Sequence, residues 1–203
     1  SSFLLHTKSE NSDITQIQLF EEINEASIRL NKLVENWLDM ARIESGKLIP
    51  NFKTCDVNDL IDSVLNNFEK DKKSRNINLE VQNDFPFLNL DITLMEQALK
   101  NIVQNALAYT PEDASIELQA TYDENNVYFI ASDSGKGIPE ENMEHIFDKF
   151  YRIDNKPGGT GLGLSIAKGI VEVHQGTITA SNKISGGLKF TIRIPRNPKI
   201  STS

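Results

Sequence analysis

The chain has 203 residues, a net charge of −8, 38% hydrophobic residues and a single cysteine. That length allows one domain, or one compact domain with an appendage, and that apolar fraction is enough for a packed core. The acidic balance argues against nucleic acid as the main partner; Cys55 alone excludes an internal disulfide framework and a Cys-based metal cluster; no apolar run reads as a membrane span or a signal peptide.

Residues 1–11 are polar after Leu5 and specify no element, and a start at Ser1 without Met reads as a piece of a longer protein. From about Thr15 to Glu44, Ile23, Ala26, Leu30, Leu33, Trp37 and Met40 recur at spacings of three and four. This is the rhythm of a coiled coil or bundle helix. Ile28, Val34, Leu38 and Ile43 widen the stripe, so the helix needs a partner: another helix, another subunit, or the surface of the following domain. Ser45-Gly46 and Pro50 end it. A short strand at Phe52–Cys55 leads to Asp56, which caps a second helix through about Lys73. A strand at Ile77–Gln82 follows, then a third helix from the Asp91 cap to about Ala108. Ser115–Tyr122 and Val127–Ala131 are strands joined by the hairpin residues Asp123-Glu124-Asn125-Asn126. A helix ends near His174, and strands Thr177–Ser181 and Leu188–Ile194 flank the turn Ser185-Gly186-Gly187. The expected architecture is a helical arm followed by an α/β sandwich of one sheet and about three helices.

Three stretches carry chemistry. In Gly158–Lys168, four glycines lead into an apolar helix-ready run, which suits backbone N–H groups meeting a phosphate at a helix N-terminus; a turn or helix cap gives the same pattern. A P-loop is excluded because Leu164, not Lys, follows the last glycine, and a dinucleotide fingerprint is excluded because no strand directly precedes. On the third helix, Gln97, Asn101 and Asn105 share one face, with Tyr109 one step further. Asn is a poor interior helix former, so two on one stripe point to a ligand: a side-chain oxygen for Mg²⁺, a flat ring for a base; a solvated face is the plainer alternative. Asp133-Ser134-Gly135-Lys136-Gly137 follows a strand directly, offering a carboxylate to an exocyclic amine and bare backbone to a ring, and is equally the pattern of a common turn.

Asn101-x-x-x-Asn105-Ala106, Asp133-x-Gly135-x-Gly137, Phe147-x-x-Phe150 and Gly159-x-Gly161-x-Gly163, in this order and at these separations, resemble the N, G1, F and G2 boxes of the sensor histidine kinases, in the wider Bergerat-type (GHKL, HATPase_c) ATPase fold. Arg29–Gly46 is similar to the second helix of that family's dimerisation domain, so the likeness covers nearly the whole chain, and the wording around Leu38–Gly46 and Asp91–Pro111 most resembles the potassium-sensor type. The resemblance implies a two-layer α/β sandwich with a mixed sheet, preceded by a long amphipathic dimerisation helix. Residues 1–46 would be a truncated dimerisation region and 47–203 the ATP-binding catalytic domain. It implies that Asn105 ligates Mg²⁺ with Asn101 supporting it near the phosphates, and that Asp133 binds the adenine amine. Gly135 and Gly137 line the base and Tyr109 stacks beside it. Gly159, Thr160, Gly161, Leu162 and Gly163 meet the phosphates. Ile138–Thr160 is the lid over ATP, anchored by Phe147 and Phe150, with Lys149 and Arg152 as candidate phosphate contacts that a solvated lid would equally display.

Two features sharpen that likeness. Hydrolytic members of the fold carry a water-activating Glu where this chain has Asn101, and Glu96, about two and a half turns from Asn105, faces the other way. Ala108 stands where many members carry a basic residue, so phosphate affinity leans on the lid or is weak. The family phosphorylates a His followed by an acidic residue and an Arg-Thr-Pro-type stretch. His6, His145 and His174 do not fit, so the phosphoacceptor is expected upstream of Ser1. The implied activity is γ-phosphoryl transfer from ATP to that histidine, for relay to an Asp of a response regulator. The piece would be cytoplasmic, from a bacterial membrane-anchored sensor that dimerises through its helices, with no nucleic-acid or membrane contact of its own. The competing classes are a nucleotide-responsive binding module without phosphotransfer, and an ATPase clamp of the chaperone or mismatch-repair type, which Asn101 disfavours.

Overall fold

The computed structural model describes residues 2–69, 71, 75–111, 113–153, 160–196 and 198, with side chains from Gln16 onward except Glu25. Two compact units divide the chain, 1–38 and 39–203.

The apolar repeat forms α1 (Ser2–Glu44). It reaches back through residues that specified no element, because extending an existing helix costs far less than starting one. At its end Gly46 N–H donates to the Ile43 carbonyl and Lys47 N–H to that of Arg42, both at 3.0 Å. This pair of bonds is the Schellman closure that Ser45-Gly46 announced. Within the first unit Ile23, Leu30 and Trp37 are 53%, 61% and 64% exposed, so the stripe finds no cover inside that unit. The last turn of α1 belongs to the second unit, where Met40 and Ile43 pack against the core. For that turn the helix does lie on the following domain.

The second unit continues with β1 (Lys53–Cys55), α2 (Val57–Asn66), β2 (Ile77–Val81), β3 (Leu88–Leu90), α3 (Ile92–Tyr109), β4 (Ile116–Tyr122), β5 (Asn126–Asp133), the single turn α4 (Glu140–Met143), α5 (Gly163–Val173), β6 (Thr177–Asn182) and β7 (Leu188–Pro195). Asp56 and Asp91 are the expected caps, accepting from Asn58 N–H at 2.8 Å and Leu94 N–H at 3.1 Å. α2 closes at Asn66 rather than near Lys73, where Asn67 turns its side-chain amide back onto the Ser63 carbonyl at 2.6 Å; Lys73 itself lies outside the described residues.

The main sheet has the order β2-β4-β5-β7-β6. β2 and β4 are parallel, with α3 in the crossover that parallel neighbours require, and the remaining pairs are antiparallel. A second, two-stranded sheet of β1 and β3 was not expected from the sequence. Alternation sets the inner face: Ile116, Leu118 and Ala120 on β4 and Leu188, Phe190, Ile192 and Ile194 on β7 point to the helices, while Lys189 and Arg193 point away. The amphipathic helices α2, α3 and α5 cover that face. Burying each Leu, Ile or Phe there contributes about 1.5–3 kcal/mol.

His174 caps the C-terminus of α5 and is fully buried. Its Nδ1–H donates to the Ile170 carbonyl at 2.8 Å, and its Nε2 accepts from Asp91 N–H at 3.1 Å. Burial pushes its pKa down, and the Ile170 carbonyl and Asp91 only partly oppose that. It is a neutral tie between α5 and the start of α3. Cys55 is half-buried beside Asp56 and Asp59, and burial first, then those two carboxylates, pushes its thiol up to about 11.

Candidate functional site

α3 buries Met95, Ala98, Ile102 and Ala106 on one face and carries Asn101 and Asn105, one turn apart, half-buried along its flank. β5 ends on Asp133, buried at 7% exposure because it sits in a central strand. One cavity lies between these elements. Asn105, Tyr109, Asp133, Gly137 and Arg152 all line it, so the structure brings together five of the residues singled out in the sequence. Ile138, Ile146, Ile153, Leu164, Leu188 and Phe190 supply an apolar wall. Such a site is mostly apolar with a few convergent polar groups, the usual make-up of a small-molecule pocket.

Asp133 is held in place from two directions. One carboxylate oxygen accepts from Gly135 N–H at 2.7 Å, and a Cβ on Gly135 would stand 2.8 Å from that same oxygen. The β6–β7 turn presses on the other side, where a Cβ on Gly187 would stand 2.7 Å from the Asp133 carbonyl carbon and overlap its oxygen. The sequence had marked Gly186-Gly187 only as a hairpin turn.

The remaining expected residues fall elsewhere. Asn101 borders α5 rather than the cavity: a Cβ on Gly163 would lie 3.7 Å from its side-chain oxygen, and its Nδ2 is buried with no hydrogen-bond partner. No described side chain caps α5, so its first N–H groups and the Asn101 amide form a donor cluster suited to an anion. Leu162 packs inward. It is a core residue at 1% exposure, and its N–H is taken by the Thr160 hydroxyl at 3.1 Å. Gly161 is a packing glycine whose carbonyl accepts from Phe150 N–H at 2.9 Å. Gly159 lies outside the described residues. Lys149 is turned away from the cavity and pairs with Glu44 at the end of α1. Gln97, from the same stripe as the two asparagines, donates to Asp39 at 2.6 Å and ties the last turn of α1 to α3. Of the two lid anchors, Phe147 meets Phe190 edge-on at 6.3 Å, whereas the Phe150 ring is 60% exposed and only its backbone is engaged.

Two polar residues that line the cavity were missed. Lys136 carries a cation between the two glycines of the Asp133 loop, and Tyr151 belongs to the lid segment itself, with its hydroxyl donating to Asn142 at 2.8 Å. Both sat beside residues already marked, and that adjacency was the available signal. Glu96 is occupied elsewhere: desolvation works against its charge, but Lys100, Ser63 and Asn67 outweigh it and hold its pKa below the ordinary value. Among the described cavity-lining residues Asp133 is the one carboxylate.

The family described as "Histidine kinase-, DNA gyrase B-, and HSP90-like ATPase" matches residues 90–198. Sensor protein KdpD of Escherichia coli (strain K12) is 35% identical over 177 residues, 86% of this chain and 20% of that protein. The catalytic domain of histidine kinase ThkA superposes with a TM-score of 0.66 at 34% identity, covering 73% of this chain and 99% of that one. ThkA in complex with the response regulator protein TrrA gives a TM-score of 0.67 at 29% identity, covering 83% of this chain and 49% of that one. The chain spans 13% to 20% of the length of the first curated relatives it matches. No helix among the described residues is long and apolar enough to cross a membrane. The chain belongs to the histidine kinase-, DNA gyrase B- and HSP90-like ATPase family, as the ATP-binding catalytic region of a sensor histidine kinase.

Proposed function

We propose that the cavity between Asn105 and Asp133 holds Mg·ATP, and that the γ-phosphoryl group passes from it to a histidine supplied from outside these 203 residues, for relay to an Asp of a response regulator. The observation that carries this reading is the meeting of Asn105, Tyr109 and Asp133 on one cavity, with the unpartnered Asn101 amide beside the open N-terminus of α5. Asp133 accepts from the exocyclic amine of adenine, with Gly135 N–H fixing the orientation of its carboxylate. The apolar wall excludes water from the base, and Tyr109 covers its edge. Asn101, the α5 N-terminus and Arg152 take the phosphates. The donor set fits a hard cation that relies on phosphate oxygens for most of its shell, with the Asn105 side-chain oxygen as the protein's ligand. Bound there, Mg²⁺ would neutralise charge developing on the transferred group.

Transfer to a protein acceptor is favoured over hydrolysis because Asn101 stands where a water-activating base would be, Glu96 is diverted, and Asp133, the one carboxylate among the described cavity-lining residues, is given to the adenine amine. The acceptor is external on this reading: His174 is fully buried, His145 pairs with Asp148 at 2.9 Å, and His6 is followed by Thr7-Lys8 rather than by an acidic residue. Residues 1–46 serve as the dimerisation helix, whose exposed Ile23, Leu30 and Trp37 ask for a second copy, and 47–203 serve as the catalytic domain, on the cytoplasmic side of a membrane-anchored sensor. The response-regulator partner is supported by the likeness to ThkA in its complex with TrrA.

The test is incubation of this chain with γ-labelled ATP, Mg²⁺ and a separate polypeptide carrying an acceptor helix. Label on the added helix and none on this chain supports the proposal. Nucleotide binding without label on any acceptor helix would instead favour a nucleotide-responsive binding module.

A further inference from the structure

We propose that Asn182 is a positioning residue for the nucleotide, clamping the root of the lid by both backbone groups of Ile138. This inference rests on the ATP-site reading above. Asn182 closes β6, the edge strand of the main sheet, and its side chain is exposed, where an asparagine amide is ordinarily free to turn in solvent. Here it is fixed twice. Ile138 N–H donates to Asn182 Oδ1 at 3.0 Å, and Asn182 Nδ2 donates to the Ile138 carbonyl at 2.7 Å, across 44 residues of sequence. A carboxamide carries a donor and an acceptor side by side, so it can satisfy a residue's N–H and C=O at once, as a paired strand would. A carboxylate has no hydrogen to donate, and a serine hydroxyl, although it can donate and accept, is too short to span both backbone groups.

What is clamped bears on the ligand. Ile138 lines the cavity, and it is the last residue before Pro139 and α4, where the lid departs. The clamp also accounts for Gly137. That residue holds φ at 70°, and a Cβ there would stand 2.5 Å from Asn182 Oδ1. The second glycine of the Asp133 loop is therefore needed for the amide to reach Ile138, beyond any service to the base. With Ile138 pinned to the sheet, that part of the cavity wall is held in place and the nucleotide meets it already arranged. Without the clamp the binding-competent arrangement becomes a fraction of the population, and apparent affinity falls by that fraction.

The experiment uses the 203-residue chain and two variants, Asn182→Asp and Asn182→Ser, titrated with Mg·ADP and Mg·ATP, together with amide hydrogen exchange in the nucleotide-free protein. Asn182→Asp keeps the shape but sets a second oxygen against the Ile138 carbonyl; Asn182→Ser removes the reach. Both should weaken ADP and ATP by the same factor, about tenfold, because the clamp acts away from the phosphates. Exchange at Ile138 should quicken while Phe190 and Ile192 in β7 keep their protection. Unchanged affinity in both variants, a loss confined to ATP, or a uniform loss of protection across β6 and β7 would overturn the clamp. Asp133→Asn is measured alongside: if it too binds normally, the site reading itself is wrong, whereas its loss of binding beside normal Asn182 variants removes the clamp alone.

Discussion

Phe150 and Gly161 meet backbone to backbone: the Phe150 N–H donates to the Gly161 carbonyl at 2.9 Å, and a Cβ on Gly161 would stand 2.7 Å from the Phe150 Cα. Both residues hold positive φ, 62° and 69°. Phe150 accepts that conformation as a non-glycine, while Gly161 has neither the room nor the backbone geometry for a side chain. This junction joins the F-box residues to the run entering α5.

Gly161→Ala should therefore destabilise the domain by about 1–3 kcal/mol, through left-handed strain and overlap with Phe150. It should also weaken Mg·ATP binding. Denaturant unfolding and titration of the same preparation check both effects, and an alanine accepted at no cost in either would show that the approach is looser than described.

Ile43 and Gly169 make a second close contact, with a Cβ on Gly169 falling 2.6 Å from Ile43 Cγ2. Gly169→Ala should destabilise although alanine is the better helix former by about 1 kcal/mol. In an Ile43→Ala background the same change should become neutral or stabilising. The coupling in a double-mutant cycle should reach about 1 kcal/mol, and additivity would mean that Ile43 does not seat there.

Much of this arrangement was legible in the sequence because it is local. Asp56 and Asp91 announce caps, β4 and β7 alternate with period two, and the spacing of Asn101 to Asn105 places both on one helix edge. The β1–β3 ribbon was not legible, since Leu88-Asn89-Leu90 is three residues long and its partner lies beyond α2. The same holds for long-range fitting. Nothing local distinguishes Gly187 as the residue packed on Asp133, or Asn182 as the one bonded to Ile138. Nor does anything local show that the Leu162 side chain, set between glycines, is drawn into the core.

The buried His174 predicts a pH dependence of stability. Its folded pKa lies below the ordinary 6.5 because burial disfavours the charged ring, so the unfolded chain takes up the proton first. Its stabilising contribution is thus full above about pH 6.5 and declines as the pH falls below that toward the folded value. Unfolding free energies between pH 7.5 and pH 5.5 should fall in the native chain, and His174→Gln should flatten the profile. An equal slope in both would locate the proton uptake elsewhere.

Cys55, with its thiol pushed up to about 11 from an ordinary 9.0, should resist alkylation. At pH 8 iodoacetamide should modify it at least roughly tenfold more slowly than an unstructured cysteine, and equally fast once the chain is unfolded in urea. Rapid labelling of the folded chain would contradict the burial and the carboxylate neighbours that raise it.

The central claim, that Asn105 and Asp133 face one nucleotide, is tested most directly by titrating Mg·ATP into the native chain, Asp133→Asn and Asn105→Asp at fixed salt. Asp133→Asn presents a donor to the adenine amine, and Asn105→Asp sets a negative charge near the phosphates. The account predicts binding by the native chain and its loss, by about a hundredfold or more, in each variant whose unfolding curve stays native-like. Native-like affinity in both variants would contradict it.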